Sequence, residues 1–324
     1  MVAVAALVLG GVIAAARATR SPAQPDPPTA RVAAPASDRS VTPGSTRLAG
    51  SRPATSPAGR TTAPDCGSWG CAQQARFAAA TALVARRPGR LGIVVRDRRT
   101  GALWRAGSSG HVMWASSTIK LAVATSLLER AHAGQVSLDA TARGQIDAML
   151  HVSDDDAADA LWKRYGGAAL VARFQRVYGM TGLTFVAGFP RYWGFMKCSA
   201  EDLRRLMSYV EDRLDPPDRD HVLGAMRSVG AIQQWGVWAA GPAQRPGTKD
   251  GWSIESDPGG KHWCTSAVGF AGPDGRYTVA VMYDVPAAGG SIDAGVHAVS
   301  DLVATVFGAP VPAAVTVPDP STGR

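Results

Sequence analysis

The sequence predicts an α+β domain. Short alternating or apolar segments of strand character stand at 91–96 and 102–106, and again near the other end at 251–254, 263–270 and 276–283. The long stretch between them carries helical spacing instead. Strands from opposite ends of a chain, with helices between, imply one sheet built from both ends beside an all-helical insert.

The elements follow in order. Residues 72–87 place Phe77, Leu83 and Val84 at helical spacing, and Pro88-Gly89 ends the helix. Two short strands flank a turn at Arg99-Thr100-Gly101. After residues 111–115, the run from Ser117 through Ile119, Leu121, Val123, Leu127 and Leu128 predicts a helix to about Ala133, apolar nearly all round and therefore buried. Further helices are expected at 145–152, 157–165, 168–178, 200–213 and 219–229, with Ser199 an N-cap for the fourth. Gly272-Pro273-Asp274-Gly275 joins the last two strands, and an amphipathic helix over 292–307 closes the domain.

The remainder divides into residues 1–16, 17–65 and 309–324, around a folded domain at 66–308. Met1 to Ala16 is an uninterrupted run of small and apolar residues, which suits a signal peptide or membrane anchor and predicts an exported protein. Residues 17–65 are rich in Pro, Ala, Ser, Thr and Arg, with too little apolar surface to offset ordering entropy, so they read as a disordered linker. The linker holds seven arginines against three acids and carries half of the net charge of +8. Such a spacer can rest on anionic cell-wall polymers. Nucleic acid is not expected as a partner, because the positive charge is scattered and no recognition motif accompanies it. The tail at 309–324 is expected to be disordered, and the protein to act as a monomer.

Four cysteines suit an oxidising compartment, with Cys66–Cys71 and Cys198–Cys264 the favoured pairing of three. His262 beside Cys264 raises zinc as an alternative, but the spacings fit no usual finger or ribbon, so neither a metal nor another cofactor is expected.

Three short motifs carry the chemistry. Ser117-Thr118-Ile119-Lys120 opens the buried helix, Ser153-Asp154-Asp155 follows, and Lys249-Asp250-Gly251 comes later. A serine at a helix start meets free backbone N–H groups and the positive end of the dipole, and a lysine three residues on returns to the same face. Burial lowers the lysine pKa and lets a neutral fraction take the serine proton. Ser153 is placed to relay a proton to a leaving group, and Lys249 to bring a second positive charge beside a glycine where substrate lies along the strand edge. Structural roles compete with each of these: Ser117 as a cap with Lys120 snorkelling outward, Ser153-Asp154-Asp155-Asp156 as an acidic helix start, and Lys249 as an exposed turn lysine.

The ordered trio, with Gly92-Ile93-Val94-Val95-Arg96-Asp97 and Gly101 before it and Ala267-Val268-Gly269-Phe270 after it, resembles the class A β-lactamase and penicillin-binding serine hydrolase superfamily over residues 70–308. The resemblance implies a three-layer αβα, transpeptidase-like fold. Its parts are an antiparallel five-stranded sheet flanked by helices, an all-α lobe, and a site between them. It also implies that Ser117 is the acylated nucleophile, Lys120 its base, Ser153 the proton shuttle and Lys249 the electrostatic anchor. The backbone N–H groups of Ser117 and Trp252 would then form an oxyanion hole, with Asp155, Asp250 and Gly251 at the substrate.

The departures are specific. Family enzymes that hydrolyse β-lactams use a glutamate between the second and third motifs. Here no acidic residue lies between Asp159 and Glu201, and Phe189-Pro190-Arg191-Tyr192-Trp193-Gly194 fills that region. Asp155 stands where asparagine is usual and favours a protonated Lys120. Asp250 replaces a hydroxyl residue and would repel a substrate carboxylate, unless strand alternation turns it to the far face. The segment between the first two motifs is also shorter than is typical. Trp193, Trp235, Trp238, Trp252 and Trp263 fall in segments that would surround the cleft, and one or two of them are expected to touch ligand.

Together these readings predict an exported serine hydrolase that acylates on an amide or ester, either a cell-envelope peptide or a β-lactam, with poor β-lactam turnover. The alternative is a catalytically inactive envelope-binding protein that keeps the fold. A β-lactamase with rearranged deacylation, or an enzyme acting on a small amide, is a further form of the same chemistry.

Overall fold

The computed structural model describes residues 67–257 and 260–319. The expected leader at 1–16, the linker at 17–65 and Cys66 lie outside them. In chain order the helices are α1 (Cys71–Arg86), α2 (Lys120–His132), α3 (Ala140–His151), α4 (Asp155–Tyr165), α5 (Gly167–Arg176), α6 (Ala200–Arg213), α7 (Pro216–Arg227) and α8 (Ile292–Phe307). The strands are β1 (Arg90–Asp97), β2 (Leu103–Gly107), β3 (Met113–Trp114), β4 (Thr184–Phe185), β5 (Met196–Cys198), β6 (Gly247–Asp257), β7 (Gly260–Ala271) and β8 (Tyr277–Asp284).

Five strands form one antiparallel sheet in the order β2-β1-β8-β7-β6. Its central pairing joins the two ends of the chain, with Ile93 opposite Val281 and Val95 opposite Val279. Both faces are buried, which is why β1 reads as a nearly continuous apolar run. Ile93, Val95, Val279 and Val281 pack on one side with Val296, Val299 and Leu302 of α8 and Phe77 of α1. Val94, Val268, Phe270 and Met282 face the other way, into a core shared with α2 and α6. This is a three-layer arrangement, and α3, α4, α5 and α7 add the helical lobe around buried α2.

Local chemistry sets the element ends. Ser199 caps α6 in a capping box with Asp202, as expected. α3 begins earlier than its apolar spacing predicts, because the Asp139 carboxylate accepts the Ala142 N–H at 2.8 Å. α7 likewise begins earlier, at Pro216-Pro217, where a missing N–H costs nothing. The small sheet β3-β5-β4 was not expected, since two- and three-residue strands are too short to show a period.

Two expectations are corrected. Cys198 and Cys264 are thiols and not a disulfide: Cys198 lies on β5 in the small sheet and Cys264 on β7 in the large one. The expected disordered tail is, over residues 309–319, an irregular segment held to the domain. Its Ala313 N–H donates to Asp301 at 2.8 Å, and Val315 and Val317 pack on the α8 side of the core. Among the described residues no helix is long and apolar enough to cross a membrane.

Candidate active site

The residues from Ser116 to Ile119 form a tight turn of 3-10 helix that runs directly into α2. Three serines fix this turn against the sheet. Ser116 Oγ shares a 2.6 Å hydrogen bond with Ser253 Oγ of β6, and Ser266 Oγ of β7 donates at 3.3 Å to the Ala115 carbonyl. Ser117 is 9% exposed, lines a cleft of about 440 Å³, and its hydroxyl makes no hydrogen bond among the described residues. It is therefore not a side-chain cap. The Lys120 backbone N–H donates to the Ser117 carbonyl, which stacks the two residues one turn apart.

Lys120 does not snorkel; its side chain is buried. Its ammonium donates to the Ser153 carbonyl at 2.6 Å, to Ser153 Oγ at 3.4 Å and to the Asp155 carboxylate. Lys249 is equally buried and donates to Ser153 Oγ at 2.9 Å, to Gln233 Oε1 at 2.6 Å and to the Asp250 carbonyl at 2.8 Å. Each ammonium thus has three acceptors, and Ser153 Oγ bridges the two. Burial lowers both lysine pKa values, and the Lys120 charge lowers Lys249 further. Asp155 opposes the burial effect on Lys120.

Ser153 holds this position with a left-handed backbone, φ 62°, just before α4. The cap of α4 is Asp154, whose carboxylate accepts the Ala157 N–H at 2.7 Å, so the acidic helix start and the bridging serine are neighbouring residues with separate roles.

Strand alternation settles the third motif. Asp250 points away from Lys249, against Gly236, and pairs at 2.5 Å with the Thr248 hydroxyl. Full burial raises its carboxyl pKa well above the ordinary range, opposed by the Thr248 hydroxyl bond and the Lys249 charge. Its expected place at the substrate is corrected accordingly, and with it the expected repulsion. The Trp252 ring also packs into the α8 side of the core, edge-on to Trp235 at 6.1 Å. Gly251 faces the turn: a Cβ there would lie 2.8 Å from both Ser117 N and Thr118 N. Only glycine lets β6 approach the start of the helix so closely.

The opposite wall comes from α4 and residues 192–195. Asp159 accepts from Tyr192 Oη and, at 2.7 Å, from Trp193 Nε1, which ties this segment to the helix. The Trp193 ring lies 4.5 Å from Lys120 Nζ. Asp155, Asp156, Asp159 and Glu255 line the cleft, and no lysine or arginine does.

Of the four candidate catalytic residues, Lys120, Ser153 and Lys249 meet through the Ser153 hydroxyl, and Ser117 precedes Lys120 by one turn and lines the cleft beside Asp155. Gln233 was not foreseen. It is fully buried, accepts from Lys249 and from Asp250 N, and donates to the carbonyls of Leu150 and His151 at 2.7 and 2.9 Å. It sets the position of the Lys249 ammonium. No sequence signal marks it, because a lone glutamine in a short turn has no motif.

A family model described as "Beta-lactamase enzyme family" matches residues 75–145. The chain is 31% identical over 206 residues to a Mycobacterium tuberculosis protein named "Putative lipoprotein LppW", covering 61% of this chain and 64% of that one. It thus spans a little under two thirds of the length of the curated relatives it matches. Among solved structures, PBP-A superposes with a TM-score of 0.60 at 22% identity, covering 72% of this chain and 95% of that one. An ancestral class A β-lactamase superposes with a TM-score of 0.58 at 20% identity, over 71% and 98%. The chain has the class A β-lactamase-like fold, in divergent form.

Proposed function

We propose that this chain is an exported serine hydrolase that acylates Ser117 with an amide or ester and releases the acyl group slowly. The observation that carries this reading is the buried Lys120–Ser153–Lys249 hydrogen-bond network behind a cleft lined by Ser117 and by Asp155, the carboxylate partner of Lys120. Ser117 Oγ attacks the carbonyl carbon while its proton passes to a neutral fraction of Lys120. In this reading the backbone N–H groups of Ser117 and Trp252 stabilise the developing oxyanion. Ser153, bonded to both lysines, returns a proton to the leaving group as the C–N or C–O bond breaks.

Slow release is supported by the Trp193 ring beside Lys120, in a segment without an acidic residue to activate water. The four carboxylates around the cleft favour a substrate that is neutral or cationic near the acyl group over an anionic β-lactam. A cell-envelope peptide amide fits that description. A point mutant of PBP-A has been solved as an acyl-enzyme complex with penicillin G, which supports acyl-enzyme chemistry on this fold. Export is supported by the apolar run at residues 1–16 and by the lipoprotein name of the relative.

Intact-mass analysis of the full chain after incubation with a fluorophosphonate and with penicillin tests the assignment. A persistent adduct that disappears in Ser117→Ala is the expected result; an adduct unchanged in that variant would reject Ser117. A second reading, an inactive envelope-binding module, is favoured by the Lys120–Asp155 ion pair, which stabilises the charged lysine. It expects no adduct with either probe, together with retention on purified peptidoglycan.

A further inference from the structure

We propose that His262, Cys264 and Asp284 form a site for a divalent transition metal of the zinc class, independent of the Ser117 chemistry. His262 and Cys264 are two residues apart on β7 and project from the same face of the sheet. Asp284, the last residue of β8, is the direct cross-strand partner of Cys264. One imidazole nitrogen, one sulfur and one carboxylate oxygen thereby lie within 4.8 Å of one another.

The spacing suits a tetrahedral ion. With Zn–S about 2.3 Å and Zn–N and Zn–O about 2.0 Å, the S···O edge of such a site is about 3.5 Å and the N···O edge about 3.3 Å. Cys264 Sγ stands 3.4 Å from Asp284 Oδ1, and His262 Nε2 stands 4.0 Å from the same oxygen. The thiol and carboxylate are already at the required separation, and the imidazole needs to close by less than about 1 Å.

The ring is also oriented for the task. His262 Nδ1 lies 3.2 Å from the Gly260 carbonyl, which can only accept, so Nδ1 carries a hydrogen and Nε2 is the ring nitrogen turned toward Asp284. A backbone carbonyl behind the distal nitrogen is a common way to orient a metal-binding imidazole. Cys264 is 2% exposed and the His262 and Asp284 side chains 10% and 12%, so the site is shielded but reachable. Glu255, the cross-strand partner of His262, shares this face and also lines the Ser117 cleft. That carboxylate or a water would supply the fourth ligand. Binding forms the metal–sulfur bond and releases the thiol proton, so affinity rises with pH.

The test is titration of the full, reduced chain with Zn²⁺ and Co²⁺ alone. The expected result is one equivalent bound with proton release, and a thiolate-to-cobalt absorption band. Cys264→Ser, His262→Ala and Asp284→Asn should each weaken binding by more than about tenfold, the scale already seen for supporting groups around a metal. Cys198→Ser and His132→Ala should leave it unchanged. The first tests the other described thiol, and the second tests the exposed His132, Asp215 and Asp218 cluster. Absence of stoichiometric binding, absence of the thiolate band, or loss of binding through His132→Ala would each overturn the site. Because Ser117 labelling is not measured, the outcome is separate from the fate of the hydrolase assignment.

Discussion

The Ser153 hydroxyl lies 2.9 Å from the Lys249 ammonium, although 96 positions separate the two residues, and the same oxygen is 3.4 Å from Lys120. Two lysines that belong to different elements thus share one acceptor, which the proposed mechanism uses as a proton bridge. Ser153→Ala removes that bridge while leaving the Ser153 carbonyl bond to Lys120 in place. Acylation of Ser117, followed by time-resolved intact mass, should slow by at least about a hundredfold, the lower range for loss of a general acid–base group. An unchanged rate would show that the bridge is only structural.

Asp155→Asn should act in the opposite sense. Burial pulls the Lys120 pKa down and Asp155 pulls it up, so removing the anion leaves burial less opposed and lowers the pKa further. More of Lys120 is then neutral at a given pH. The rising limb of the acylation pH profile should move toward acid, and the rate at neutral pH should increase.

Gly251→Ala tests the close approach of β6 to the turn that carries Ser117. The added methyl would meet two backbone nitrogens at 2.8 Å, and backbone yields less readily than a side chain. The variant should remain folded by circular dichroism, yet label more slowly by about a hundredfold or more, the scale for loss of one oxyanion donor.

Glu211 supplies a pH test of stability away from the cleft. Burial, opposed by Arg98 and the Thr278 hydroxyl, raises its pKa from 4.5 to about 8. The folded state therefore holds a proton that the unfolded chain gives up above its lower pKa. Stability from this group is complete below about pH 4.5 and is lost progressively as pH rises to about 8. At about 1.4 kcal/mol per tenfold in proton affinity, on the order of 5 kcal/mol is at stake. Glu211→Gln should flatten that decline, so that melting temperatures of variant and parent measured across the pH range diverge by several degrees toward the alkaline end.

The fold was legible because its evidence is periodic. β1, β7 and β8 are nearly continuous apolar strands, and the helices announce themselves through spacing and caps such as Ser199. The site was legible where the chemistry is local: Ser117 and Lys120 share one turn, and Lys249 and Asp250 separate by strand parity alone. What escaped depends on distance through space. Gln233 reaches Lys249 only after the turn at Ala231–Gln233 packs against β6. The expected Cys198–Cys264 bond failed for the same reason, since positions in a chain do not say that β5 and β7 belong to different sheets.

The pairing of β1 with β8 also governs the order of events as the chain is made. Arg90 finds its neighbour in Asp284, so the middle of the sheet must wait until nearly the whole domain has been synthesised. Meanwhile β1 and β2 form at most an unsupported hairpin, marginal in water on its own. Closing so long a loop is slow. The sheet that holds Lys249 against Ser153 is therefore completed late, after the local helices of the other lobe have all been made.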